Sequence, residues 1–339
     1  MSRSAAPGPV GPISYLVAGP VDGPLVVFVH GWPAIAETWR PQLEAFAALG
    51  HRVVAPDMRG YGQSATPADP AAYGQRHLVD DMLALLAHLG RDSATWVGHD
   101  WGSATVWALA AHHPRACAAV ASLCVPYRML DRGLEVMLTQ VNRSIYPIDR
   151  YPYAQFDYMA YYERNPERAI AVLGADPART VAAFFRRGEP DGFGKPARTA
   201  TLVRDGGWFG GADMTPNVPL AGSVLTADLY QELRRSFERT GFAGPTAYYL
   251  NHVANRAYSD ESLNGGHLDM PALFIEARYD VIADTAVAPD RKNPMREHCA
   301  QLTERSVDAG HWLGLERPAE VNAALESWLS APRLLNGAG

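Results

Sequence analysis

Residues 96–107 read WVGHDWGSATVW. An apolar pair, Trp96-Val97, meets Gly98-His99-Asp100-Trp101-Gly102, and small and apolar residues follow at helical spacing. A strand that turns into a helix through glycines two positions either side of one residue has the G-x-Nu-x-G form of a nucleophile elbow, here with Asp100 at its centre. The glycines suit a tight turn in which backbone passes close to backbone. Such a turn holds Asp100 at the C-terminal edge of a sheet and over a helix N-terminus, which favours an ionised carboxylate. The plainer alternative is that Asp100 only caps the following helix. No G-x-S-x-G occurs in the chain, so no serine competes for the position.

Outward from the elbow the first part of the chain alternates. ISYLVAG, LVVFVHG, HRVVAPD, ATWVGHD and ACAAVASLCVP read as strands, separated by helical patterns such as RHLVDDMLALLAHLG and GSATVWALAAHHP. Strands alternating with helices imply a mostly parallel sheet with right-handed crossovers, an α/β fold. From about Tyr127 to Asp260 the pattern is helical or irregular, dense in tyrosine and broken by Gly and Pro, as in RRGEPDGFGKP and GGWFGGADMTPNVP. MPALFIEARYD then reads as a strand, NPMREHCAQL as a helix, TERSVDAGHW as a strand and loop, and PAEVNAALESWLSA as a closing helix. The expected organisation is a sheet domain of residues 1–126 and 261–339, interrupted by a mostly helical cap of residues 127–260.

An elbow nucleophile is served by an acid and then a histidine further along the chain. ALFIEARYD ends a strand at Asp280, and AGHW puts His311 in a later loop. Asp284 is the rival acid, but it lies four residues past the strand end. Near the front, FVHGWP (residues 28–33) ends another apolar strand. Set beside the elbow, the backbone N–H groups of Trp32 and Trp101 would form an oxyanion hole. Pro33 fixes the turn, and its peptide bond is a candidate for the cis form.

Composition narrows the function classes. At 339 residues, 47% apolar and 19% charged, the chain can bury a large core. A net charge of −6 with no basic run argues against a nucleic-acid partner. Cys117, Cys124 and Cys299 are widely spaced and read as buried thiols, so no metal site is expected. No stretch reads as a signal peptide or membrane span, and a cytoplasmic protein is the expectation.

The motifs HGWP, APDMRGYGQS, GHDWGS, VASLCVPY, FDYMAYYERNP, GFAGPTAYYLN, EARYD and AGHW together resemble the epoxide hydrolase family of the α/β-hydrolase fold. The resemblance implies two cap tyrosines that hold an epoxide oxygen; by motif these are Tyr158 in FDY and Tyr249 in GFAGPTAYY. It implies a small apolar epoxide as substrate, Asp100 as nucleophile, His311 and Asp280 as water-activating base and its acid, and no cofactor. Assembly stays open, a homodimer included. The pocket is expected to be aromatic, with Trp32, Trp101, Trp208, Phe156 and Phe242 as candidates. The chain departs from the family pattern where the strand before ISYLVAG reads as short or missing, at Leu250 (often Arg) and at Glu276 (often Gly). The runner-up is a haloalkane dehalogenase using the same Asp100, His311 and Asp280. A non-catalytic binding protein of the same fold is the reading from another class, and the complete triad counts against it.

Overall fold

In the computed structural model, residues 1–331 are described, and residues 332–339 of the expected core lie outside the described residues. They form an eight-stranded sheet in the order β1-β2-β4-β3-β5-β6-β7-β8. The strands are β1 Ser2–Gly8, β2 Gly11–Ala18, β3 Leu25–Val29, β4 Arg52–Pro56, β5 Ala94–His99, β6 Cys117–Leu123, β7 Leu268–Ala277 and β8 Cys299–Val307. β1 and β2 are antiparallel neighbours at one edge, and from β4 to β8 every pairing is parallel. The result is the mostly parallel α/β sheet that the alternation of strands and helices implies.

The centre of the sheet explains its own sequence. β3 and β5 are buried at every position because helices cover both faces. The helices α1 Arg40–Ala48, α2 Gln75–His88 and α3 Trp101–His112 supply the crossovers between β3 and β6. α3 carries no polar face and is buried from Trp101 to Ala111, the behaviour expected of a helix apolar all round. Its small residues let it lie close to the sheet. A β-carbon on Gly102 would overlap the Val29 carbonyl of β3, so the elbow requires glycine there.

Between β6 and β7 the chain is mainly helical, with the longer helices at Asp157–Arg164, Pro166–Gly174, Pro177–Phe184, Ala227–Thr240 and His252–Asp260. Two begin with Pro at the first position, where the missing N–H costs nothing. This insertion is tied to the loop after β4, the GYGQS stretch. Gly62 N donates to Ser236 Oγ at 3.1 Å, and the Tyr248 hydroxyl donates to the Arg59 carbonyl at 2.9 Å. No helix among the described residues is long and apolar enough to cross a membrane.

Two local expectations need correction, and one departure finds its partner. The N-terminal strand is neither short nor missing: β1 pairs with β2 from Ser2 to Gly8. Its sequence, SRSAAPG, hides it because an edge strand needs only one covered face and tolerates Pro7. Arg3 anchors it, bonding Glu37 and reaching Asp57 Oδ2 at 2.5 Å. The expected helix NPMREHCAQL stops at His298, and CAQL opens β8; a short apolar run carries too few residues to fix its period. Finally, the unusual Glu276 is buried and answered by Lys292, one of two lysines in the chain, at 2.7 Å.

Gly102→Ala is expected to lower the unfolding free energy by about 2 kcal/mol or more, since rigid backbone must move. Gly174→Ala, at a position with open space around it, is expected to be neutral or slightly stabilising. Urea unfolding of the two variants checks the difference; equal midpoints would show that the elbow does not constrain residue 102.

Candidate active site

Asp100 sits between β5 and α3 with φ 55° and ψ −125°, a left-handed conformation that non-glycine residues rarely adopt. Its side chain makes no capping bond to α3, so the helix-cap alternative does not describe it. Oδ1 instead accepts from the backbone N–H of Trp32 at 2.6 Å, and the Trp101 amide supports the same carboxylate. HGWP is thereby explained residue by residue. A β-carbon on Gly31 would fall on the Asp100 carboxylate. His30 accepts the Met58 N–H on Nε2 at 2.9 Å and donates from Nδ1 to the Gly31 carbonyl at 3.0 Å. Those two partners fix its tautomer, and burial holds its pKa down at about 4. The Trp32-Pro33 peptide is cis.

His311 completes the chain of contacts. Its Nε2 lies 3.8 Å from Asp100 Oδ2, and its Nδ1 lies 2.8 Å from Asp280 Oδ2. The other oxygen of Asp280 accepts from the N–H groups of Ile282 and Ala283 at 2.9 and 3.2 Å. Asp284 stands 4.0 Å from the buried guanidinium of Arg291. Of the two candidate acids, the one against the imidazole is Asp280.

The electrostatics follow from burial and these partners. Burial pushes the Asp100 carboxyl up, His311 and the two amides pull it down, and the net shift is upward. Burial would also raise Asp280, but the His311 charge, its hydrogen bond and the two amides hold it at about 2. For His311, burial opposes the charged form; Asp280 and Asp100 outweigh it, and its pKa is raised.

Tyr158 and Tyr249 come from the helical insertion and meet with ring centroids 5.6 Å apart. Both hydroxyls are held well above the usual tyrosine range, first by burial and then by neighbours that include the Asp100 charge. They are therefore proton-bearing donors at neutral pH. The adjacent Tyr248 donates its hydroxyl to the Arg59 carbonyl instead. Trp32 and Trp101 both pack edge-on to Tyr249, at 6.0 and 5.2 Å.

Of the aromatic candidates, Trp32 and Trp208 lie here, their rings 6.4 Å apart and nearly parallel at 12°. Two do not belong. Phe242 stacks on Phe237 at 4.5 Å, and Phe156 lies under the Arg291 guanidinium. Sequence reasoning missed Phe184, which packs on both Trp32 and Trp208, and Tyr162, whose hydroxyl accepts from Trp208 Nε1 at 2.8 Å. It also missed His99. That residue donates from Nε2 to the His311 carbonyl at 2.7 Å, and burial first and the His311 charge second hold its pKa down at about 3. His99, Cys124 and His311 bring one potential ligand atom each within 4.8 Å of the others. Cys124 Sγ and His99 both donate to the His311 carbonyl, and His311 Nδ1 is bonded to Asp280. The cluster thus has internal hydrogen-bond roles.

A mostly parallel sheet, an elbow carrying Asp and a histidine-carboxylate pair at the sheet's C-terminal edge define an α/β hydrolase. Residues 24–318 match the α/β hydrolase fold family. The chain is 35% identical to Epoxide hydrolase A of Mycobacterium tuberculosis, over 94% of both chains. It is 34% identical to Bifunctional epoxide hydrolase 2 of Rattus norvegicus over 91% of its own length, but spans about half of that relative, 52%. Among solved structures, Epoxide Hydrolase A from Mycobacterium thermoresistibile superposes with a TM-score of 0.79 at 31% identity, covering 97% of this chain and 98% of the other. The chain belongs to the α/β-hydrolase fold family and, within it, to the epoxide hydrolases.

Because Asp280 is the main support of the His311 charge, Asp280→Asn should lower the imidazole pKa below that of the parent. The sign follows from the balance: with the carboxylate gone, the burial that disfavours imidazolium remains. NMR titration of the His311 ring checks this. An unchanged titration would mean that Asp280 does not hold the histidine.

Proposed function

We propose that this protein opens an epoxide to a vicinal diol through a covalent ester on Asp100. What supports the reading is a buried carboxylate on the elbow and two buried, protonated tyrosine hydroxyls close enough to feel its charge. In the first step an Asp100 oxygen attacks an epoxide carbon and the ring C–O bond breaks. The departing oxygen is a poor leaving group as a bare alkoxide, and Tyr158 and Tyr249 supply it with hydrogen bonds and a proton. In the second step His311 Nε2 takes a proton from water as that water attacks the ester carbonyl, while Asp280 holds the ring and offsets its charge. The Trp32 and Trp101 amides stabilise the tetrahedral oxyanion, each worth about 3 kcal/mol where such donors have been removed from other sites. The ester C–O bond then breaks, the imidazolium gives its proton to the departing diol oxygen, the proton of the new carboxylic acid restores the tyrosine hydroxyl, and the diol leaves with Asp100 regenerated as a carboxylate. The insertion between β6 and β7 acts as a cap that brings the tyrosines over the nucleophile and keeps bulk water out. Family membership and the similarity to proteins named epoxide hydrolase support the same substrate class.

One observation favours the dehalogenase reading. The indole N–H groups of Trp32 and Trp101 are buried and have no hydrogen-bond partner among the described residues, so they are free to donate to an anion. Halide release from short bromoalkanes, measured beside epoxide opening, separates the two: the tyrosine pair predicts the epoxides to be far better substrates.

The experiment that tests the proposal uses His311→Phe, which should form the ester but not hydrolyse it. Intact mass spectrometry after adding an epoxide should show protein plus one substrate mass. Adding Tyr158→Phe or Tyr249→Phe to that variant should slow the appearance of the adduct about 10²-fold, the scale for a lost positioned acid. Sustained turnover without adduct in His311→Phe, or adduct formation at undiminished rate without both tyrosines, would overturn it.

A further inference from the structure

RRGEPDGFGKP, one of the Gly- and Pro-rich stretches of the insertion, begins against the loop that carries His311. Gly188 and Gly310 pass back to back: a β-carbon on either would overlap the backbone of the other. A single carboxylate oxygen joins them. Glu316 Oε2 accepts from the Gly188 N–H and from the Gly310 N–H, at 3.0 Å each. Trp312 adds to the same seam. Its Nε1 donates to the Phe184 carbonyl at 2.8 Å, and its ring stacks on Phe185 at 4.0 Å and 16°. The segment from Phe184 to Gly188 thus lies along Gly310 and Trp312, the residues either side of His311.

The backbone of residues 309–311 is fixed point by point. The Ala309 carbonyl accepts from the Tyr279 N–H at 2.9 Å, which ties the loop to the strand end before Asp280. The His311 carbonyl accepts from His99 and Cys124. Between these two anchors the Gly310 N–H is held by Glu316, whose short helix, Leu313–Glu316, follows His311 directly and lets the side chain reach back. Bonds to an ionised carboxylate are the stronger kind. Among the described residues, Glu316 is the one of these groups that also hydrogen-bonds the insertion.

We propose that Glu316 is a positioning residue for the water-activating step: by joining Gly310 to Gly188 through one oxygen, it couples the loop of His311 to the insertion that carries Tyr158 and Tyr249. The inference rests on the proposed two-step chemistry. His311 Nε2 serves the second step, where it must meet a water aimed at the Asp100 ester. Its distance of 3.8 Å from Asp100 Oδ2 is set by where the loop sits. A misplacement of about 1 Å costs on the order of 10²-fold in a step that depends on geometry. The first step uses Asp100 and the two tyrosines. Asp100 is held by the Trp32 amide, and the insertion keeps its bonds from Tyr248 and Ser236 to the loop after β4. Loss of the Glu316 link therefore slows ester hydrolysis and spares ester formation.

The test follows both steps by rapid-quench mass spectrometry with styrene oxide, in the parent, Glu316→Ala, Glu316→Gln and Gly188→Ala. Amide hydrogen exchange at the Gly188 and Gly310 segments gives a readout that needs no substrate. In Glu316→Ala, ester formation should stay near the parent's rate while ester hydrolysis falls about tenfold or more, so that ester accumulates. Exchange should rise at both segments together. Glu316→Gln keeps an acceptor oxygen for the two N–H groups and should restore most of the hydrolysis rate and of the protection. Gly188→Ala forces the two backbones apart and should reproduce the slow hydrolysis with the carboxylate still present. Hydrolysis at the parent's rate in Glu316→Ala would overturn the proposal. So would an equal slowing of both steps, the mark of general loosening, or a rise in exchange at one segment alone. If the parent forms no ester, the proposed function fails, and the paired exchange alone decides whether Glu316 joins the two segments.

Discussion

A carboxylate buried against the edge of a sheet is the constraint on which the rest of this molecule depends. Charge in such a place is costly unless it is paired and hydrogen-bonded. Asp100 is answered by the Trp32 and Trp101 amides and by the His311 ring, which lean on further groups in turn: Gly31 and His30 for the first loop, Asp280 and His99 for the histidine. Each of these contacts fixes a backbone segment as well as a charge. The glycines at 31 and 102 exist because the segments come too close for a β-carbon.

The same economy governs the proton inventory. For His30 and His99 burial outweighs the nearby charges of Asp57 and Asp280 and keeps the rings neutral, so each acts as a fixed donor or acceptor. His311 alone of the three contacts two carboxylates, and its pKa moves the other way. Tyr158 and Tyr249 are pushed up and stay protonated. Together these groups offer the nucleophile, the titratable base and the two proton donors that the proposed two-step hydrolysis calls for.

Much of this is legible in the sequence because it is written in local patterns. Gly98, Asp100 and Gly102 declare the turn, the apolar runs declare covered strands, and the order Asp100, Asp280, His311 declares the partners. What stays hidden depends on long-range packing. SRSAAPG gives no strand signal because its pairing rests on β2 and on Arg3 reaching Glu37 and Asp57. CAQL could be read as helix or strand until β7 claims it. The choice of aromatic wall is of the same kind. Phe156, Phe242 and Phe184 are equivalent in composition, and only the folding of the insertion puts Phe184 beside Trp32 and sends the other two elsewhere.

The proposed covalent role of Asp100 separates this chemistry from direct attack by water on the epoxide. A single turnover with enzyme in excess over epoxide, run in water enriched in heavy oxygen, distinguishes them. Label in the peptide that carries Asp100, with a first-turnover diol free of label, is the result predicted by ester formation and carbonyl attack. Label in that first diol and none in the peptide would contradict it.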